Sequence, residues 1–152
     1  MYSIKEFFCT LQSEGANAGR AATFCRFNGC DQWSGREKDR DRAICKFCDT
    51  DFVGTDGTMS WKYKTTEALV EAIQGLWPDN QKTNKFVVLT GGEPLIKVDS
   101  NLIKQLHKRD FEFAVETNGT VPLPHGIDWV CVTQKQGAKL HVTKGNEIKI
   151  VF

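Results

Sequence analysis

The chain has 152 residues, 20 of them basic and 19 acidic, for a formal charge of +1. That length suits one domain with a sizeable core, and the near-neutral balance gives no bulk electrostatic case for nucleic acid or an acidic membrane surface as partner. No apolar run approaches the ~20 residues of a membrane span. The first residues, Met-Tyr-Ser-Ile-Lys-Glu-Phe-Phe, alternate polar and apolar and lack a secretory core. The expectation is a soluble cytoplasmic protein, in which six cysteines are not a disulfide framework.

In chain order, residues 3–9 read as a short strand, followed by the polar, turn-like Leu11-Gln12-Ser13-Glu14-Gly15. Residues 21–28 read as a core strand carrying Arg26. A charge in such a strand needs a partner or an anionic ligand. Glu14 and Asp49 are the candidates for an ion pair. Cys9, Cys25 and Cys131 sit in apolar, strand-like runs and are expected to pack as small buried hydrophobes.

Cys30, Cys45 and Cys48 are spaced C-x14-C-x2-C. Soft thiolates suit zinc and iron–sulfur clusters alike. On spacing alone both stay open, with thiol–disulfide chemistry as a third reading. The zinc site would take a fourth ligand such as His125 or His141. The cluster would use three thiolates on three irons and leave a fourth iron open to bind a small molecule. Residues 34–43 mix charges of both signs and read as an exposed excursion between ligands. Asp51 to Ser60 reads as a loop.

Residues 66–77 read as a helix, with Leu69, Ala72, Ile73 and Leu76 on one face and Pro78 closing it. Residues 85–89 are nearly all apolar, as a strand covered on both faces would be. Ser100 is expected to cap a second helix running to Arg109, with Leu102, Ile103 and Leu106 inward. Phe111, Phe113 and Val115 mark the next strand, residues 129–133 another, and Ile148, Ile150 and Phe152 the last. Strands alternating with helices predict an α/β fold with parallel neighbours. The unusual residues gather at strand ends: Thr90-Gly91-Gly92-Glu93-Pro94, Glu116-Thr117-Asn118-Gly119, and Thr133 with Lys135. Sites in parallel α/β folds form there.

Gly91-Gly92-Glu93-Pro94 alone reads equally as an ordinary turn. Beside the cysteine triplet it resembles the radical S-adenosylmethionine enzymes. Thr10-Leu11-Gln12-Ser13-Glu14-Gly15, Phe24-Cys25-Arg26-Phe27, the long Cys30-to-Cys45 spacing, Cys48-Asp49-Thr50-Asp51-Phe52 and Glu116-Thr-Asn-Gly-Thr are similar, more narrowly, to the 7-carboxy-7-deazaguanine synthase family. The resemblance covers essentially the whole chain.

It implies a partial, open TIM-like barrel of parallel strands with helices outside. It implies ring contraction of 6-carboxy-5,6,7,8-tetrahydropterin with loss of ammonia, on the route to queuosine, through a 5′-deoxyadenosyl radical that takes the C6 hydrogen. S-Adenosylmethionine would be regenerated. Cys30, Cys45 and Cys48 would ligate a [4Fe-4S] cluster, and Thr50 would ligate Mg2+ together with the substrate carboxylate. Leu11, Gln12, Ser13, Glu14, Arg26 and Thr90 would hold the pterin, Arg26 against its carboxylate. Phe47, Asp49, Gly92, Thr133, Gln134 and Lys135 would line the S-adenosylmethionine site. A flavodoxin-type reductant and a homodimer are also implied; a nucleic-acid or membrane partner is not.

Three departures bear on this. Ser13 stands where the family has glycine, and would be strained if the backbone there needs φ > 0. Thr133-Gln134 replaces a Ser-Pro-like pair. Family members usually continue for about another third of this length, so residues 1–152 are expected to form a single domain lacking the usual C-terminal segment, marginally stable or self-associating, and weakly active. Two other readings stay open: a small glycyl-radical activase, which leaves Arg26 and Leu-Gln-Ser-Glu-Gly unexplained, and a zinc-binding interaction module, which leaves Gly-Gly-Glu-Pro unexplained.

Overall fold

A computed structural model describes residues 1–78, 80 and 83–150. Seven strands form one sheet: β1 (Tyr2–Leu11), β2 (Ala21–Phe27), β3 (Trp61–Tyr63), β4 (Phe86–Gly91), β5 (Glu112–Thr117), β6 (Trp129–Val132) and β7 (Glu147–Ile148), in the order β3-β1-β2-β4-β5-β6-β7. From β2 to β7 all neighbours are parallel. The fold class is thus α/β, as expected. The N-terminal end differs, because β1 runs antiparallel to both β2 and β3. A short polar turn joins β1 to β2, and so short a connection can only make a hairpin.

Helices α1 (Thr66–Leu76) and α2 (Ser100–His107) supply the crossovers. Leu69, Ile73, Leu102, Ile103 and Leu106 are buried as the periodicity predicts. Thr65 caps α1 by accepting from the Ala68 amide; α2 is capped not by Ser100, its first residue, but by Asp99, which accepts from the Asn101 and Leu102 amides. Asp99 also accepts from the Tyr2 hydroxyl, which ties β1 to the helix layer. On β4, Phe86, Val87, Val88 and Leu89 are all fully buried, as a central parallel strand requires.

The sheet curls. In a flat sheet β1 and β7 would lie about five strand spacings, or ~24 Å, apart. Yet Lys149, just after β7, reaches Glu14, just after β1, at 2.8 Å. The carboxyl end of the sheet therefore wraps into an open barrel around whatever lies between those elements.

Four expectations change. Cys25 and Cys131 are buried, but Cys9 is exposed, because the last residues of β1 lie outside the packed layer. Arg26 pairs with neither Glu14 nor Asp49 but with Glu6, its cross-strand partner on β1, at 2.7 Å. Ser13 is not among the residues at positive φ, so the strain expected of it does not arise. The last strand pairs only over Glu147–Ile148, and Ile148 and Ile150 are exposed; Val151 and Phe152 lie outside the described residues.

Candidate active site

The loops after the parallel strands surround a cavity of about 410 Å³. Cys30, Cys45 and Cys48 all line it. Cys30 follows β2, so the parallel sheet delivers its thiol to the carboxyl end. Burial pushes the Cys30 thiol up to about 11, against donation from the Gln32 and Trp33 amides. Cys45 is raised too, again chiefly by burial, with the Lys135 charge opposing.

The loop carrying these cysteines is built, not loose. The amides of Ile44 and Cys45 donate to the Gln32 carbonyl, and the Gln32 amide donates to Cys30 Sγ. The charged segment 37–42 folds as a 3-10 helix. Its Arg40 is not simply solvated. The guanidinium lies 4.1 Å over the Trp33 ring and donates to the carbonyls of Lys46, at 2.8 Å, and Cys48, at 3.2 Å. Arg40 thereby clamps the second cysteine pair, a role that a run of alternating charges hides in sequence.

The Gly-Gly-Glu-Pro turn has a physical reason for each residue. A Cβ on Gly91, at φ +138°, would strike the Phe27 backbone, and one on Gly92 would strike the Gly29 carbonyl and Cys30 Cβ. The two strand ends approach that closely only without side chains. Glu93 is fully buried and accepts from the Leu95 amide, the Thr117 hydroxyl and the Asn118 amide, at 3.0, 2.8 and 2.7 Å. It joins the end of β4 to the end of β5. Burial drives its carboxyl above the usual range, and the three donors offset part of this. Asn118 in turn donates to Asp31, beside Cys30, at 3.0 Å. Burial of Asp31 works upward, but bonds from Thr120, Asn118 and Gln32 outweigh it and hold that carboxyl low.

Of the predicted S-adenosylmethionine contacts, Asp49, Gly92, Thr133 and Lys135 line the cavity. Phe47 is exposed and lies beside it, its ring 5.3 Å from Lys135 Nζ. Gln134 is exposed and lines none of the described cavities. Of the predicted pterin contacts, Glu14, Arg26 and Thr90 line the same cavity. They also line an adjoining one of about 240 Å³ that Leu11, Gln12 and Ser13 border. Thr50 faces the main cavity and a third, of about 300 Å³, with Arg26 and Asp49. His125 and His141 are exposed and border none of these, so the zinc reading has neither of its expected fourth ligands. Among the described residues no three His, Cys, Asp or Glu side chains meet tightly enough to hold a single ion. A cluster does not need that convergence, because each thiolate takes a different iron.

No protein-family model matches the chain. Curated relatives do. A 7-carboxy-7-deazaguanine synthase of Burkholderia multivorans is 57% identical over 151 residues, 99% of this chain and 71% of the relative. One from Bradyrhizobium diazoefficiens is 56% identical with the same coverage. The chain belongs to the 7-carboxy-7-deazaguanine synthase family. Another member, from Bacteroides thetaiotaomicron, is 37% identical over 100% of this chain and 71% of its own length. The crystal structure of QueE from Escherichia coli superposes with a TM-score of 0.73 at 28% identity, covering 98% of this chain and 69% of that one. The open α/β barrel is therefore the synthase fold.

Two residues of this cavity, Trp33 and Lys149, were not singled out from sequence, and Glu116 was noted there as part of a strand-end element without a role. Trp33 sits edge-on to Phe52, ring centroids 5.8 Å apart, and gives the cavity an apolar wall. Glu116 accepts from Gln12 and Thr90. A lysine within the apolar pair Ile148 and Ile150 was the only sequence signal for Lys149.

Proposed function

We propose that this chain converts 6-carboxy-5,6,7,8-tetrahydropterin to 7-carboxy-7-deazaguanine with release of ammonia. The net change is loss of one ammonia from the substrate, so no external oxidant is consumed. The observation that carries the reading is a single cavity at the barrel mouth shared by three free thiols and by the Arg26, Thr90 and Glu14 side chains.

Cys30, Cys45 and Cys48 are suited to hold a [4Fe-4S] cluster, with soft thiolates on three irons. Such a cluster, when bound with S-adenosylmethionine, supplies one-electron cleavage and hence a reactive adenosyl radical. The chain's own residues do the rest. Gly92, on the cavity wall, would offer its backbone to the methionine moiety, while Asp49, Thr133 and Lys135 offer polar contacts around it, and exposed Phe47 a flanking ring.

Arg26 offers the substrate carboxylate a planar fork; its Nε is held by Glu6, and Nη1 and Nη2 lie outside that bond. Leu11, Gln12, Ser13, Glu14 and Thr90 border the space for the ring. Thr50, next to Asp49 and Arg26 on the third cavity, would be the protein ligand of a Mg2+ ion near the substrate carboxylate. A hard ion with few protein ligands and several waters suits that partly exposed position. Trp33 and Phe52 keep water from the reacting centre. A small flavodoxin-type protein is the reductant we infer, and a cytoplasmic homodimer the working form. We read residues 1–152 as one radical S-adenosylmethionine domain.

Anaerobic reconstitution with iron and sulfide, followed by assay with the carboxy-tetrahydropterin, S-adenosylmethionine and a reductant, tests this. The expected result is a broad absorption band near ~400 nm from thiolate-ligated iron, and 7-carboxy-7-deazaguanine with ammonia as products. Cluster assembly without either product would refute the assignment.

A further inference from the structure

We propose that Lys149 is a positioning residue of the pterin site, which holds Glu14 and Glu116 side by side as two ionised acceptors on the cavity wall. The inference rests on the pterin reading above. Lys149 Nζ lies 2.8 Å from Glu14 Oε2 and 3.3 Å from Glu116 Oε1. The two acids come from opposite sides of the curled sheet, Glu14 from the hairpin after β1 and Glu116 from β5. Gln12 Nε2 donates to Glu116 Oε1 at 3.2 Å, and Thr90 Oγ1 donates to Glu116 Oε2 at 3.3 Å. Gln12, Glu14, Thr90 and Glu116 all border the smaller cavity; Lys149 does not, although it lines the main cavity beside both acids. Seen from the smaller cavity, the lysine stands behind the acids and presents them.

Two carboxylates sharing a site cannot both ionise cheaply; one takes a proton unless a cation lies between them. Glu147 adds a third acid on the same side, and the Cys131 thiol lies in the same electrostatic neighbourhood. Arg26 faces the same cavity but is bonded to Glu6. Lys149 is therefore the cation in contact with both acids. Burial pulls its ammonium down, but the bond to Glu14 and the charge of Glu116 outweigh this and hold it above the usual lysine range. It stays charged across the neutral range.

Ionised carboxylates only accept hydrogen bonds. The ligand edge they suit is one rich in N–H donors, which the pterin ring has and its carboxylate lacks. Lys149 thus sets the polarity of the site: N–H edge toward Glu14 and Glu116, carboxylate toward Arg26. The hairpin does not depend on Lys149 alone for its place. The Ala16 amide donates to Glu147 Oε2 at 3.2 Å, and Gly15 packs so closely on the Glu147 carboxylate that a Cβ would collide. Removing the lysine should disturb charge while this backbone clasp persists.

The test uses cluster-loaded protein without reductant, so that binding is read without turnover. Calorimetry under argon at neutral pH measures the carboxy-tetrahydropterin and, separately, S-adenosylmethionine, for wild type, Lys149→Met and Lys149→Arg. Lys149 is half-buried, so Lys149→Met should weaken pterin binding on the order of ten-fold, less than loss of a fully buried charge partner would cause. Lys149→Arg should restore most of the affinity, and S-adenosylmethionine binding should not change. Wild-type pterin affinity in Lys149→Met, or an equal loss of both ligands that arginine does not rescue, would overturn the proposal. If the wild-type protein binds no pterin, the synthase reading itself fails, and the role of Lys149 fails with it.

Discussion

Cysteines that look alike in sequence have different work in the fold. Cys45 lines the cavity with Cys30 and Cys48, whereas Cys131 packs inside β6. Cys45→Ala should leave a pair of thiols that cannot hold a full cluster, so reconstituted iron should fall well below that of wild type. Cys131→Ala should keep its iron. Equal loss in both would mean that the ligand set is wrong. Arg26 makes a second residue-scale case. It is half-buried, paired with Glu6, and turned to all three cavities around the predicted pterin site. Arg26→Ala should weaken pterin binding by about 2 kcal/mol, the low end for losing a partner of a hydrogen-bonded charge, while uncoupled cleavage of S-adenosylmethionine survives. Unchanged pterin affinity in a titration would exclude Arg26 as the carboxylate partner. Ser13 shows the opposite lesson: with no positive φ to relieve, Ser13→Gly is expected to gain nothing in binding.

Among the elements, α2 is short and depends on its ends. Asp99 satisfies two of the first-turn amides and also accepts from Tyr2, so one side chain closes the helix and docks β1 to it. Asp99→Ala should cost about 1–2 kcal/mol, the upper range for an N-cap, because the Tyr2 hydroxyl loses a partner as well. A urea midpoint measured on wild type and variant reads this directly, and an unchanged midpoint would show that the cap contributes nothing. Sequence periodicity located both helices and strands β2, β4, β5 and β6 well, though not the short β7; burial on one or both faces imposes a period that composition reveals. It missed β3, a three-residue edge strand with two exposed positions, because so short a strand has no period to read.

For the whole molecule, the amino ends of the parallel strands are cross-linked by one ion pair. Arg20, just before β2, donates twice to Glu112 at the start of β5, and its guanidinium lies 3.8 Å over Phe86 of the intervening β4. The Arg20 bond holds the Glu112 carboxyl below its usual range. A carboxylate whose folded pKa is depressed adds stability above its unfolded pKa of about 4.3, and that stability is lost as pH falls through the folded value. The pair is partly exposed, so the gain is below ~1 kcal/mol. Glu112→Gln should lower the urea midpoint slightly at pH 7, and the gap to wild type should narrow and close as pH falls below the ordinary carboxylate range. A gap that persists unchanged at low pH would show that the loss is one of packing, not charge.

What the amino-acid order determined by itself was the chemistry and its rough address. Three soft thiolates, a glycine-rich turn after an apolar strand and an arginine inside another strand are local patterns. The glycine-rich turn pointed to the carboxyl ends of the strands, the thiolates to a metal or cluster, and the arginine to an ion pair or an anionic ligand. The sheet's curl was not legible there, because it comes from the summed twist of seven strands and not from any one of them. That curl brings β7 back to the hairpin after β1, so residues 135 positions apart, Glu14 and Lys149, meet at 2.8 Å. Pairings of this kind, like Arg40 on the carbonyls beside Cys48 or Glu93 on the amide of Asn118, depend on distances that only the closed tertiary structure decides. A charged side chain in a sequence shows that it needs a partner; which partner it finds is settled when the chain folds.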